Sequence, residues 1–236
     1  MTAIRDNIEI VRSKMALACR RSGRKESDVT LIAVTKFVET ERIAEAVAAG
    51  VTEIGENRAQ EFSEKLNFYK QNHLRAHFIG QLQTNKVKYV CGKADLIQSV
   101  DREPLLDAIA AYAAKNGITQ DILIEVNIGG EEQKGGADPE ALDALAEKIA
   151  AIGSVRLRGL MCVPPAVEKE AVRMYFRRMR SLFERMQDRY PQLPIDTLSM
   201  GMSHDYDIAI EEGATTVRVG TAIFGPRIIT GGKQNG

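Results

Sequence analysis

The sequence predicts a (β/α)8 barrel, an α/β fold in which eight parallel strands alternate with helices. Short β-branched or apolar runs alternate with longer segments of helical period from residue 29 onwards, and about eight such units can be counted. No Pro/Ser-rich linker and no shift in composition divides them. An open doubly wound sheet would give a similar alternation, but no GxGxxG motif follows the first strand. We therefore expect a single domain over residues 1–236.

The first unit shows the pattern clearly. Residues 29–35 (VTLIAVT) are almost all apolar or β-branched, which is typical of a fully buried strand. Residues 40–49 then carry apolar side chains at helical spacing, with Thr40 placed to cap the helix and Gly50 to end it. Further strands are expected near 51–54, 76–79, 95–99, 121–127, 155–161, 196–199 and 216–219. Further helices are expected near 56–70, 84–90, 102–115, 138–151, 168–189 and 205–212.

Two terminal segments lie outside the repeat. Residues 1–22 have Ile4, Ile8 and Val11 at helical spacing, so we expect an extra amphipathic helix that covers the outside or the bottom rim of the barrel. Residues 229–236 are expected to be a flexible tail.

Composition excludes several classes of protein. The 236 residues are 44% hydrophobic, and 32 basic side chains balance 32 acidic ones, which argues against a binder of nucleic acid. No apolar run reaches the roughly 18 residues of a membrane helix, and the N-terminus lacks an apolar signal segment, so a cytoplasmic location is expected. The cysteines Cys19, Cys91 and Cys162 are far apart and without a CxxC pair, which favours reduced thiols and no structural metal.

Lys36 is the most informative residue of the chain. It directly follows the first strand, so in a barrel it lies at the carboxyl end of the strands, where active sites of this fold are built. A half-enclosed lysine has its charged form disfavoured, and a neutral amine attacks aldehydes to form a Schiff base. Position alone fits a lysine that turns to solvent as well.

A second signal lies near the C-terminus. Barrels often bind phosphate with the loops after strands seven and eight. Ser199 offers a hydroxyl there, and the amides of Gly220 and Thr221 offer anion-binding donors. Arg218 lies within an apolar strand, where it needs a carboxylate partner or a ligand acceptor such as a ring nitrogen. Ser203, Asp205 and Asp207 are equal candidates for the cap of the helix at 205–212, and for Ser203 this role is favoured over that of a phosphate ligand.

These two signals become neighbours when a barrel closes. An amine after strand one and a phosphate site after strands seven and eight suit one compact phosphorylated aldehyde, pyridoxal 5′-phosphate (PLP). A colourless aldolase that uses the lysine Schiff base without a cofactor is a weaker alternative.

The chain resembles the pyridoxal phosphate homeostasis proteins, which are single-domain PLP-binding barrels related to the N-terminal barrel of alanine racemase. The segments that carry this resemblance include VTLIAVTK, IGENRAQEF, HFIGQLQTNK and LSMGMSHDYDIAIEEGATTVRVGTAIFGPR.

The resemblance implies a fold-type III PLP barrel in which Lys36 is the internal aldimine lysine. It also implies that Ser199, Gly220 and Thr221 contact the phosphate and that Arg218 faces the pyridine nitrogen. Two further residues, Asn57 and Met200, are expected to line the cofactor site. The implied role is intracellular PLP homeostasis with little or no turnover, PLP-dependent apoenzymes being possible recipients.

A PLP-dependent amino-acid racemase is the alternative function. Racemisation needs two opposed bases, and Lys36 supplies one. The racemases take the other, a tyrosine, from a C-terminal β-domain, for which we expect no counterpart after the eighth unit. Of the tyrosines here, Tyr206 alone is placed to approach the cofactor, and a packing role at the start of its helix is favoured for it. We therefore expect no catalytic residues, and a monomer, because the racemase dimer uses that domain.

Two weaker signals remain. Residues 129–136 form a glycine-rich polar loop after strand five, either mobile over the barrel mouth or simply solvated, and Lys134 within it is a candidate for transient PLP binding. The arginine-rich helix at 168–189 is interpreted as a solvated face.

Overall fold

Eight parallel strands close into a barrel in the computed structural model, which describes residues 3–131, 133 and 135–226. Each strand pairs with the next along the chain, and the last pairs with the first, so the predicted (β/α)8 barrel is confirmed. The strands are β1 Thr30–Val34, β2 Glu53–Glu56, β3 Arg75–Phe78, β4 Leu96–Val100, β5 Gln120–Val126, β6 Val155–Cys162, β7 Thr197–Ser199 and β8 Thr216–Val219. The α-helices are α1 Ala3–Arg21, α2 Thr40–Ala48, α3 Ala59–Gln71, α4 Val87–Val90, α5 Glu103–Lys115, α6 Leu142–Ala150, α7 Arg173–Arg189, α8 Tyr206–Glu211 and α9 Thr221–Phe224.

Some helices and strands begin at residues other than the predicted ones, because the backbone hydrogen bonds at their ends differ from the expected pattern. Thr40 is the first residue of α2 rather than its cap, and Glu39 is the capping residue, without a side-chain hydrogen bond to the helix. Strand β2 begins two residues later than expected, because the Val51 amide still donates to the Ala46 carbonyl and completes the end of α2. The short helix α9, directly after β8, was not expected from the sequence.

Helix α1 covers the outside of the barrel. Its apolar stripe, including Ile4, Ile8 and Val11, is buried as expected, and the helix packs against α2, α8 and α9. Asn7 Nδ2 donates to the Ile223 carbonyl at 2.9 Å and ties α1 to α9. Although α1 is 19 residues long, its outer face is polar, and no helix of the described residues is both long and apolar enough to cross a bilayer.

Strand β6 contains a bulge at its closest approach to β7. The register against β5 shifts so that Ile122 pairs with Leu157 and Leu123 pairs with Gly159, which leaves Arg158 as the extra residue. Gly159 has a φ of +142°, and a Cβ placed on it would lie 1.9 Å from the Thr197 carbonyl oxygen. Only glycine fits this point of the barrel.

We predict that Gly159→Ala destabilises the protein by at least about 3 kcal/mol, because the added methyl group collides with backbone that cannot move away. Urea unfolding measures this loss. Gly153→Ala is the control, since a Cβ at Gly153 meets no atom within 4 Å. Equal stability of the two variants would contradict the prediction.

Candidate functional site

Lys36 lies in the turn that follows β1, at the carboxyl end of the strands. It is half-buried, and the residue after it, Phe37, has a left-handed φ of +60°. A non-glycine residue in this region is uncommon and costs free energy unless its surroundings hold it. The amide of Phe37 donates to Glu61 Oε2 at 2.9 Å, so helix α3 fixes the turn that presents the lysine.

A cluster of charged side chains, Lys65, Glu56 and Glu61, holds the backbone just before this turn. Lys65 Nζ donates to the Thr35 carbonyl at 2.9 Å, to Glu56 Oε2 at 3.0 Å and to Glu61 Oε2 at 3.3 Å. Glu56 is fully buried, and burial raises the pKa of its carboxyl while the charge of Lys65 acts in the opposite direction. The sequence analysis missed Lys65, although its i,i+4 spacing from Glu61 was a visible signal.

The ends of β1 and β8 share one cavity. Lys36 lines it together with Gly220 and Thr221, and its volume of about 830 Å³ is within the range of small-molecule sites. The structure therefore brings together the amine and the candidate phosphate-binding backbone. The walls of the same cavity also carry the cations of Arg42 and Lys65 and the carboxylates of Glu39, Glu61 and Glu64.

Backbone amides after β8 point at a hydroxyl group. The amides of Gly220 and Ala222 donate to Ser203 Oγ at 3.2 and 3.3 Å. The interpretation of Ser203 as a helix cap is wrong, because Asp205 precedes α8 as its cap residue and Ser203 turns towards these amides instead. A Cβ on Gly220 would lie 3.3 Å from Val34 Cβ, so β1 and the end of β8 are in close contact here.

Arg218 and Ser199 meet inside the barrel. Arg218 is 4% exposed and donates from Nη1 to Ser199 Oγ at 2.5 Å and from Nη2 to the Cys162 carbonyl at 2.8 Å. Its hydrogen-bond acceptors are thus a hydroxyl and a carbonyl rather than the carboxylate that the sequence left open. Burial lowers the pKa of the guanidinium, and the nearby Cys162 and Glu125 act in the opposite direction. Met200 follows Ser199 and is fully buried.

Asn57 lies in a neighbouring cavity of about 900 Å³, which shares Glu61 and Glu64 with the Lys36 cavity. Its Oδ1 atom is buried and has no hydrogen-bond partner. A buried acceptor without a donor is uncommon in native proteins, which makes this amide a candidate ligand contact.

Lys134 lies outside the described residues. The start of its loop is held by Asn127, whose side chain makes two hydrogen bonds with the backbone of Glu131.

The described residues contain no group of three or more His, Cys, Asp or Glu side chains arranged to hold a metal ion.

The arginines of α7 are mostly engaged in ion pairs. Arg173 contacts Glu211 and Glu212 at 2.9 and 2.7 Å, and Arg189 contacts Asp143 at 2.9 Å. This helix face therefore presents few uncompensated cations to a polyanion.

We predict that Lys65→Met costs about 3 to 5 kcal/mol of unfolding free energy, because it leaves the Glu56 carboxylate buried without a countercharge. Urea unfolding measures the loss. Lys70→Met, an exposed site on the same helix, is the control and is expected to change stability by less than about 0.5 kcal/mol. Adding Glu56→Gln to Lys65→Met should recover part of the loss, and a double variant no more stable than the single one would contradict the proposed pairing.

Glu125 on β5 is a buried carboxyl whose pKa is raised to about 7, first by burial and then by the charge of Asp101. Because the folded protein binds this proton more tightly than the unfolded chain, Glu125 lowers stability as the pH rises from about 4.3 to 7. We predict that Glu125→Gln gains about 2 to 3 kcal/mol relative to wild type between pH 5 and pH 8. Urea unfolding at both pH values measures it, with the exposed Glu184→Gln as control; a pH-independent difference would refute the assignment.

Comparison with known proteins agrees with this geometry. The chain matches the family model "Alanine racemase, N-terminal domain" over residues 1–227. A pyridoxal phosphate homeostasis protein from Aquifex aeolicus (strain VF5) is 48% identical over 223 residues, covering 94% of this chain and 97% of that protein.

Two solved structures extend the match. A protein of unknown function from Bifidobacterium adolescentis has a TM-score of 0.89 and 38% identity, with 94% of each chain covered. PipY from Synechococcus elongatus PCC7942, solved with PLP bound, has a TM-score of 0.78 and 34% identity, covering 90% of this chain and 99% of that one. The resemblance seen in the sequence is confirmed: this chain belongs to the pyridoxal phosphate homeostasis protein family, built on the alanine racemase N-terminal barrel.

Proposed function

We propose that this chain binds PLP through a Schiff base on Lys36 and serves intracellular PLP homeostasis, with little or no catalytic turnover. The observation that carries the proposal is the single cavity shared by the Lys36 side chain and the Gly220–Thr221 backbone. The names of its relatives and the PLP held by PipY support the same ligand.

The residues around the mouth fit this ligand. A cofactor with an aldehyde and a phosphate needs a primary amine and anion-binding donors within one site. Lys36 is the amine, and the amides of Gly220 and Ala222, which donate to Ser203 Oγ in this structure, are donors of the required kind. We propose that Gly220 and Thr221 contact the phosphate as the family resemblance implies, with Asn57 and Met200 beside the ring. Ser199, which the resemblance also implies as a phosphate contact, is fully buried and donates its proton to Gln98, so we propose that it supports Arg218 instead.

The chemistry follows from the amine and its supports. Bound PLP would supply an aldehyde, and Lys36 would supply the neutral primary amine that condenses with it, the two amine protons and the aldehyde oxygen leaving as water. Glu61 and Lys65 hold the turn around Lys36, so the amine is presented without reordering of the backbone. Because condensation is reversible, the same residues suit holding and release.

Low turnover is supported by two features of the protein. The Arg218 guanidinium, proposed to face the ring nitrogen, disfavours a proton there because two positive charges repel in a dry site, and an unprotonated ring is a weak electron sink. Tyr206, the tyrosine expected nearest the cofactor, is buried in the core, and burial together with the charge of Asp207 raises its pKa to about 12. It is therefore a poor second base at neutral pH.

The proposal also includes the location, the oligomeric state and the partners of the protein. We propose a cytoplasmic, monomeric protein whose recipients are PLP-dependent apoenzymes and which binds neither nucleic acid nor membranes. The balanced charge of the sequence supports the exclusion of nucleic acid.

We predict that Lys36→Ala abolishes the near-visible absorption band of the PLP-loaded protein, because Lys36 is the proposed Schiff-base amine and the other lysine of the cavity, Lys65, is held by Thr35, Glu56 and Glu61. Borohydride reduction followed by mass spectrometry of peptides should place the label on Lys36 in wild type. Lys115→Ala, an exposed lysine at the far end of α5, is the control and should keep the band. An unchanged band in Lys36→Ala, or label on a different lysine, would overturn the assignment.

Incubation of the loaded protein with L-alanine and detection of the D-isomer separates a carrier from a racemase. We expect turnover far below about 1 per second, the lower end of ordinary enzymes. Turnover at or above that rate would replace the proposed function with the racemase alternative, and a colourless protein that binds no PLP would favour the cofactor-free aldolase.

A further inference from the structure

Five polar side chains form one chain of hydrogen bonds through the barrel. Glu53 Oε2 lies 2.8 Å from His77 Nε2, and His77 Nδ1 lies 3.1 Å from Gln98 Nε2. Gln98 Oε1 accepts from Ser199 Oγ at 2.7 Å, and Ser199 Oγ accepts from Arg218. Strands β4 and β7 are not neighbours in the barrel, so the contact between Gln98 and Ser199 crosses the lumen. Barrel lumens are normally filled by branched apolar side chains.

The two ends of this chain fix its direction. Arg218 can only donate and the Glu53 carboxylate can only accept. His77 Nε2 must therefore carry a proton, and with a single proton on the ring Nδ1 is left as an acceptor for the Gln98 amide. The Gln98 oxygen then faces Ser199 and takes its hydroxyl proton, so that a lone pair of Ser199 is turned to the guanidinium.

A reversed amide would break the chain at two places. With Gln98 turned over, its oxygen would face the His77 acceptor and its NH2 group would face Ser199, which already receives a proton from Arg218. The Ser199 hydroxyl would then have two donors and its own proton without an acceptor, at a fully buried site. An unsatisfied buried group is costly, so one orientation of the Gln98 amide, and therefore one direction of the hydrogen bonds, is strongly favoured.

The surroundings of Glu53 keep its carboxyl ionised at the end of the hydrogen-bond chain opposite Arg218. Burial would raise the pKa of this carboxyl, but the hydrogen bond from His77 and the charge of Arg75 lower it overall. Glu53 is therefore an ionised acceptor over the neutral pH range, at the base of the barrel, while Arg218 lies near its mouth.

We propose that His77 and Gln98 are positioning residues of the cofactor site, which act through Ser199 to hold the Arg218 guanidinium in place for the ligand. This inference rests on the proposed function, because it assumes that Arg218 contacts the cofactor. The hydrogen-bond chain that holds Arg218 begins at Glu53, at the opposite end of the barrel. None of the sequence motifs singled out His77 or Gln98 for the site.

The test compares Gln98→Met with Gln98→Glu. Methionine fills the space but cannot accept from Ser199, so we expect the PLP dissociation constant to rise about tenfold, the effect of one buried hydrogen bond, with a shifted near-visible band. Glutamate still accepts from Ser199, whether ionised or with a proton turned towards His77, so we expect a dissociation constant within about threefold of wild type. Gln120→Met is the matched control, because Gln120 is a buried glutamine at the start of β5 that is bonded to Gly92 and Ala94.

A purely structural role for Gln98 predicts the opposite ranking, because a neutral methionine is tolerated in a core and a buried carboxyl is not. Binding by Gln98→Met that equals the Gln120→Met control, or weaker binding by Gln98→Glu than by Gln98→Met, would overturn the proposal.

Nitrogen-15 NMR of His77 in the cofactor-free wild-type protein at pH 8 tests the chain without any ligand. We expect the tautomer protonated at Nε2, and the Nδ1-protonated tautomer would overturn the proposal even if the variants failed to fold. A wild-type protein that showed no Schiff-base band with PLP would instead refute the proposed function, while the tautomer would still decide whether the chain has the stated direction.

Discussion

Closure of the sheet between β8 and β1 is the constraint on which the site depends. Ala33 pairs with Val219 across this seam, and so the residues that follow, Val34 and Gly220, come into contact. The lysine turn and the Gly220–Thr221 backbone are distant in sequence and adjacent only because this last strand pair forms. An open sheet with the same strands would leave the amine and the amides at opposite edges.

Each half of the site is held by buried polar groups that satisfy one another. On the β1 side, Lys65 joins the Thr35 carbonyl to the carboxylates of Glu56 at the end of β2 and Glu61 on α3. On the β8 side, Arg218 is held by a hydroxyl and a carbonyl in the lumen. Buried charges are costly unless they are paired, and these contacts both offset that cost and restrict each side chain to one orientation.

The parts of the site that the sequence predicted have strong local signals. Lys36 ends an apolar strand, and Arg218 interrupts another, so each stands out against its neighbours. His77 and Gln98 carry the same signal, a polar residue in a buried strand, but nothing in the sequence says that Gln98 reaches across to Ser199. Ser203 was assigned to its nearest helix, because local spacing favours a cap, whereas its hydrogen bonds go to backbone 17 and 19 residues away.

The sequence by itself determined the fold class and the order of the strands, because strand burial and helical periodicity are local properties of the chain. It also predicted the residues at the two ends of the candidate site. Only the tertiary structure decided which side chains meet: the support of the lysine turn by Lys65 and the hydrogen-bond chain from Glu53 to Arg218. The physical reason is that these contacts join strands and helices far apart in sequence, and their geometry exists only after the barrel has closed.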